Sequence, residues 1–288
     1  MTAPSFHKSL RKYGKESVMD NKMASFGGRR EFQRKSHWKI SLFLIFLTVF
    51  LVSGGLLLRN LYRSQQEQIA YDVLAEQVHQ AESTLAGTGS AQSASSGMLP
   101  QYQALWEQNQ DLFGWVSIAE TEIDYPVMPT TQDEEYYLRR AFDGSDSVSG
   151  TPFLATGCFE GGGNYIIYGH NMRDGSMFAS ILDYADMDFW EAHPVISFDT
   201  LEEPGTYEVI AAFYVDVSIS ENGVEFPYYE YTDLRDDAVF TEYLSQVETA
   251  ALYDTGITAE PGEQLLTLST CSYNTSDERF VVVAVKRN

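Results

Sequence analysis

The stretch 266-LTLSTCSYNTSDERFVVVAV-285 places a cysteine at the end of one apolar, β-branched run and an arginine at the start of the next. Both flanking segments, 264–270 and 279–286, have the composition that strands favour. Paired as a hairpin, they bring Cys271 and Arg279 to face each other across its mouth. That arrangement predicts a β-rich fold with a thiol site at a strand tip.

Working outward, the 288 residues suit one domain of ordinary size plus appendages. A hydrophobic content of 44% with 14% aromatics is ample for a packed core. Residues 40–58 (ISLFLIFLTVFLVSGGLLL) carry no charge over 19 positions, close to the roughly 20 apolar residues that cross a bilayer as a helix. An uncleaved anchor is expected here. The 39 preceding residues are too many for the n-region of a cleaved signal peptide, and no convincing small-residue cleavage site follows.

Charge is split sharply about this segment. Residues 1–39 hold 10 Lys and Arg against 3 Asp and Glu, and the remainder holds 9 against 38. Basic residues stay on the cytoplasmic side, which predicts a cytoplasmic N-terminus and an extracellular C-terminal part. Beside a membrane span, the basic tail is explained by orientation and anionic lipid, so no nucleic-acid partner is expected. The acidic remainder argues against polyanion ligands held by charge. No D-x-[DN]-x-[DN]-G loop is present, and neither a metal nor any other cofactor is expected.

The expected organisation is a basic cytoplasmic tail (1–39), a transmembrane anchor (40–58), a stalk and flexible linker (59–99) and a folded domain (100–288). The stalk is read as a marginal helix with spaced Leu61, Ile69, Val73, Leu74 and Val78. The linker is GTGSAQSASSG at 87–97. Beyond it come a short helix at 101–110 and strands at 114–118, 123–128, 152–155, 165–168, 195–198 and 207–217. Short helices are read at 176–184 and 186–192. A longer one at 233–253 carries Phe240, Tyr243, Leu244, Val247 and Ala251 on one face. Many short strands with few helices indicate a mainly β barrel or sandwich.

Elimination narrows the chemistry. There are two cysteines, Cys158 and Cys271, and five histidines, of which His7 and His37 precede the span and His79 lies in the stalk. His193 precedes Pro194 at a helix-to-strand junction, where a capping role suffices. His170 instead closes NYIIYGH at 164–170, and Gly169 permits a sharp exit that puts the imidazole at a strand tip. A free cysteine has a pKa of about 8.5 and attacks as thiolate, so it needs a base or cation nearby. His170 can relay the proton. Arg279 stays protonated and can donate to a developing oxyanion. A Cys158–Cys271 disulfide is the extracellular default, but it would remove the nucleophile, so two free thiols are expected.

TLSTC at 267–271, the downstream Arg279 and YGHNM at 168–172 together resemble the sortases, membrane-anchored cysteine transpeptidases of Gram-positive bacteria. DLFGWVSI at 111–118, IDYPVM at 123–128, YYL at 136–138, DGSMFASILDY at 174–184 and the long helix before the cysteine strand resemble class B. The resemblance implies a closed eight-stranded β-barrel with N-terminal helices and one inserted long helix. It implies His170, Cys271 and Arg279 as catalytic residues, with Ser269, Thr270, Tyr168 and Asn171 as candidates for substrate binding.

The implied reaction cleaves a C-terminal sorting signal after threonine through a thioester. It then passes the surface protein to an amine, such as that of a lipid-linked cell wall precursor or a pilin lysine. Family members often carry an acidic residue soon after the cysteine, whereas this chain has Ser272, Tyr273 and Asn274, and Ala155 and Thr156 stand where another acid is common. A cell-wall cysteine peptidase or amidase would use similar groups, but papain-like enzymes place Cys before His, and here the order is His, Cys, Arg. A non-catalytic surface module is the remaining alternative, with the three residues as ordinary packing and salt-bridge groups.

Overall fold

The computed structural model describes residues 28–88, 97–129, 133, 135–218, 226–272 and 277–287. Most of the expected basic tail, the linker 89–96, and Tyr273 and Asn274 lie outside these residues. The chain divides after Arg59 into two units, Met1–Arg59 and Asn60–Asn288. A helix, α1 (Gly28–Thr88), runs across that boundary in sequence. Its apolar part is long and apolar enough to cross a membrane.

In the second unit, eight strands form one sheet. They are β1 (Gly114–Ser117), β2 (Asp124–Val127), β3 (Phe153–Leu154), β4 (Asn164–Tyr168), β5 (Val195–Thr200), β6 (Thr206–Asp216), β7 (Leu265–Cys271) and β8 (Glu278–Lys286). Their order is β2-β1-β5-β6-β8-β7-β4-β3. Every neighbouring pair is antiparallel except β4 with β7. The expected barrel is not closed by a continuous ladder. The edge strands β2 and β3 meet through one isolated bridge, Met128 with Phe153, which lie just beyond β2 and at the start of β3.

The central strands read as continuous apolar runs because both of their faces are buried. Phe280, Val282 and Ala284 of β8 belong to the larger core cluster, and Val281, Val283 and Val285 to a second one. The second cluster is covered by α4 (Asp237–Ala250). Asp236 caps this helix by accepting from the amides of Ala238 and Val239 at 2.8 and 3.3 Å. Phe240, Tyr243 and Val247, at helical spacing, are fully buried, each contributing about 1.5–3 kcal/mol of apolar burial. Register is pinned by Asn164 of β4, whose amide donates to Tyr231 O and whose Oδ1 accepts from Thr267 of β7, each at 3.0 Å.

The segment expected to be a free stalk is instead part of the folded unit. Tyr71, Leu74, Ala75 and Val78 of α1, at i, i+3, i+4 and i+7, are buried in the larger core cluster. Leu61, Ile69 and Val73, on which the stalk reading partly leaned, are exposed. The reading included Leu74 and Val78 of the packed face but not Tyr71 and Ala75, which stand out little among many Gln and Glu. Two further helices, α2 (Gln103–Gln108) and α3 (Met187–Ala192), and 3-10 turns at Pro100–Tyr102, Tyr136–Arg139, Ala179–Ala185 and Tyr228–Glu230 complete the described unit.

Candidate active site

Topology alone gathers the chemistry. Because β4 and β7 run parallel, with Tyr168 opposite Ser269, their C-terminal tips leave the same edge of the sheet. Those tips carry His170 and Cys271. Because β8 is antiparallel to β7, its first residues return to that edge, and Arg279 stands directly opposite Cys271. A cleft of about 530 Å³ opens there, lined by His170, Cys271 and Arg279 together with Tyr168, Ser269 and Thr270. The sequence-derived trio therefore shares one concave site.

Cys271 is exposed and both cysteines are free. His170 is bound at Nε2 to the carbonyl of Leu138 at 2.9 Å. A carbonyl only accepts, so this nitrogen carries the proton and the neutral ring keeps Nδ1 as its acceptor. Burial lowers the pKa of His170; the Leu138 bond opposes this and the charge of Arg139 adds to it. The ring is thus held neutral and basic at one nitrogen.

Two contacts tie the histidine segment to the cysteine strand. Asn171 donates to the carbonyl of Cys271 at 3.0 Å, and Thr270 Oγ1 donates to the carbonyl of Gly169 at 2.7 Å. The Ser269 and Tyr228 hydroxyls are hydrogen-bonded at 2.7 Å within the buried wall. Ser269 and Thr270 thus already bond within the protein, and Asn171 bonds the strand rather than the open cleft. Burial pushes the Tyr228 hydroxyl up to about 12 and Tyr168 higher still, with Arg279 pulling both the other way.

The hairpin brings a carboxylate beside the first residue after Cys271. Ser272 donates its hydroxyl to the Glu278 carboxylate, and its amide to Glu278 O at 3.0 Å. This clasp closes the hairpin just beyond Cys271 and Arg279. Cleft residues that sequence reading missed include Glu135, Leu138, Val217, Tyr228 and Tyr229. Of these only Leu138 fell inside a quoted motif, and a carbonyl's role carries no side-chain signal.

Cys158 lies outside this lining. Its sulfur accepts from the Ile166 amide at 3.3 Å, and burial pushes its thiol up to about 11. It packs as a small apolar group, remote in character from a nucleophile. His193 ends α3 and bonds Ala119 O through Nδ1 at 3.0 Å, as its junction position suggested.

Two glycines are dictated by the site. A Cβ on Gly169 would lie 2.4 Å from the Phe178 ring. At Gly150, φ is +62° and a Cβ would meet the Leu138 carbonyl oxygen at 2.5 Å, the same oxygen that holds His170. Gly150→Ala is expected to destabilise the protein by about 2–4 kcal/mol, combining a left-handed backbone with an overpacked carbonyl. The midpoint of urea unfolding measures this.

Comparison with known proteins agrees with the geometry. Residues 116–287 match the sortase domain family. A sortase B of Listeria monocytogenes serovar 1/2a is 31% identical over 240 residues, covering 82% of this chain and 91% of that protein. A sortase B of Staphylococcus aureus is 23% identical over 245 residues, covering 84% and 93%. A solved S. aureus sortase B–substrate complex shares the fold at a TM-score of 0.67 and 24% identity, over 79% of this chain and 99% of that one. Sortase B from B. anthracis, solved in complex with AAEK1, gives a TM-score of 0.56 at 32% identity, over 66% and 85%. With a cysteine, a histidine and an arginine gathered at one strand-tip cleft and the family matched over most of the folded unit, the chain belongs to the sortases and is a class B cysteine transpeptidase.

Proposed function

We propose that Cys271 is the nucleophile, His170 the proton relay and Arg279 the oxyanion donor of this transpeptidase. The observation that carries the assignment is their convergence on one cleft from the tips of β4, β7 and β8. Cys271 attacks the carbonyl of the threonine in a C-terminal sorting signal. His170 takes the thiol proton at Nδ1 and returns it to the departing amine. The resulting thioester is resolved by the amine of a second substrate, a cell wall precursor or a pilin lysine, which releases Cys271.

The remaining features fit the same reading. The apolar part of α1 anchors the enzyme by a single span. The 10-to-3 excess of basic residues before it favours a cytoplasmic N-terminus, leaving the acidic folded unit outside. The Met128–Phe153 bridge between the two edge strands supports reading the sheet as a sortase-type barrel.

Incubating the full-length protein with a library of pentapeptides and amine acceptors, and detecting the Cys271 thioester by mass spectrometry, tests the assignment. A library that yields turnover with no adduct on Cys271 overturns it. Arg279→Lys is expected to lower kcat by about 10²–10³-fold with little change in KM. Lysine keeps the charge but loses the planar fork that serves an oxyanion forming only in the transition state. Steady-state kinetics on the best library peptide checks this.

A further inference from the structure

His170 is fixed through the carbonyl of Leu138, so whatever fixes Leu138 matters to the histidine. Leu138 sits in the 3-10 turn Tyr136–Arg139, and the loop that follows folds back over this turn. The amide of Ser147 donates to Arg139 O and that of Thr151 to Tyr137 O, both at 3.0 Å. Thr151 Oγ1 donates to Arg140 O at 2.9 Å, and Arg139 donates to Val148 O at 2.9 Å. Gly150 lies so close to this turn that a Cβ there would come within 2.5 Å of Leu138 O and 2.7 Å of Tyr137 O.

This loop is held by α1. Glu67 accepts from the Ser147 hydroxyl at 2.9 Å and from the amides of Val148 and Ser149 at 3.2 and 3.0 Å. Tyr71, 2% exposed, donates its hydroxyl to Gly150 O at 2.6 Å and lies 2.8 Å from Thr151 Oγ1. Four residues apart on one helical face, the two side chains grip successive parts of one loop.

A second set of contacts reaches the other side of the same histidine. Ser64 donates to the Asp174 carboxylate, whose other oxygen accepts from Ser176. Tyr125 donates to Gln68 at 3.3 Å and accepts from the amide of Met177 at 3.1 Å. The next residue, Phe178, donates its amide to the carbonyl of His170 at 2.9 Å and packs beneath Gly169. One helix thus reaches both the imidazole and the backbone of His170.

We propose that Tyr71 and Glu67, on the part of α1 that follows the apolar segment, are positioning residues for His170 and act by fixing the carbonyl of Leu138. The inference rests on His170 serving as the proton relay. It gives the residues after the membrane segment a direct part in transpeptidation, distinct from tethering. Without the Tyr71 hydroxyl, Gly150 and Thr151 lose a buried partner, the Leu138 carbonyl is less well fixed, and the imidazole spends less time with Nδ1 in the productive direction.

The test uses the full-length chain in lipid nanodiscs. Tyr71→Phe is expected to lower kcat about tenfold, the scale of loss that small misplacement of a catalytic group produces, with KM changed less than about twofold. The Nε2 proton of His170 is expected to give a sharp signal in nitrogen-edited NMR of the wild type and a broadened one in Tyr71→Phe. Should Tyr71→Phe fold poorly, Glu67→Gln, which keeps the side chain's size and weakens its charge-assisted bonds, shows the same direction at about threefold.

The decisive arm measures alkylation of Cys271 in a His170→Gln background. There Tyr71→Phe has no further effect if it acts through His170. An equal loss in both backgrounds shows a merely structural role and overturns the inference, as does unchanged kcat in Tyr71→Phe and Glu67→Gln alongside an inactive His170→Gln. Wild-type turnover in His170→Gln removes the reading of His170 itself, and the inference falls with it for that separate reason.

Discussion

Cys271→Ala is expected to abolish transpeptidation while leaving the protein folded. Turnover falls by about 10⁴-fold or more, since Cys271 is the only thiol among the described residues lining the cleft and the oxyanion donor then acts alone. Mass spectrometry of the variant mixed with peptide and no acceptor shows unmodified protein, where the wild type carries an acyl adduct on Cys271. Thermal melting is nearly unchanged, because Cys271 is exposed at the end of β7 and its side chain fills no cavity. Cys158 supplies the internal control. Packed against Ile166 with its thiol pushed up to about 11, it stays unalkylated at neutral pH while Cys271 reacts. Substantial turnover by Cys271→Ala, or an acyl adduct on Cys158, would sink the assignment.

What sequence made legible follows from how local each signal is. The hairpin around Cys271 is written in β-branched runs and one cysteine–arginine spacing, and its register needs nothing beyond those two strands. His170 is read from its place at the end of NYIIYGH with Gly169 as a sharp exit; the structure gives Gly169 a different reason, since a Cβ there would lie 2.4 Å from the Phe178 ring. The residues that were missed belong to the site through tertiary contact. Leu138 contributes a backbone carbonyl, which any side chain would supply. Tyr228 reaches Ser269 from 41 positions away along the chain. Glu278 comes beside Ser272 only because the hairpin brings it back there.

The docked half of α1 was misread for a related reason. A buried helical face led by Tyr71 and Ala75 carries too little apolar contrast to stand out among Gln and Glu. Its hydroxyl and carboxylate partners lie about 80 residues downstream. Local strand signals therefore pointed to the cysteine, histidine and arginine that share the cleft, and left out much of the scaffold around them.

His170→Gln is expected to lower kcat by about 10²–10⁴-fold, the contribution typical of a positioned acid–base group. Glutamine is the informative replacement because its amide can still donate to the Leu138 carbonyl, preserving the bond at Nε2 while removing the basic nitrogen. Arg279 cannot substitute, as it does not release its proton at accessible pH. In the wild type, burial places the pKa of His170 below its ordinary value of about 6.5. The acid limb of the kcat/KM profile assigned to this group therefore lies below pH 6.5, and it is absent from the residual activity of the variant. The sign for stability follows from the same shift. A histidine whose folded pKa is depressed binds a proton more readily when unfolded, so its contribution to stability is complete above about pH 6.5 and is lost as pH falls through the folded value. His170→Gln should thus flatten the acid side of the stability profile as well as the activity profile. A variant that keeps wild-type kcat and the same acid limb would show that another group relays the proton.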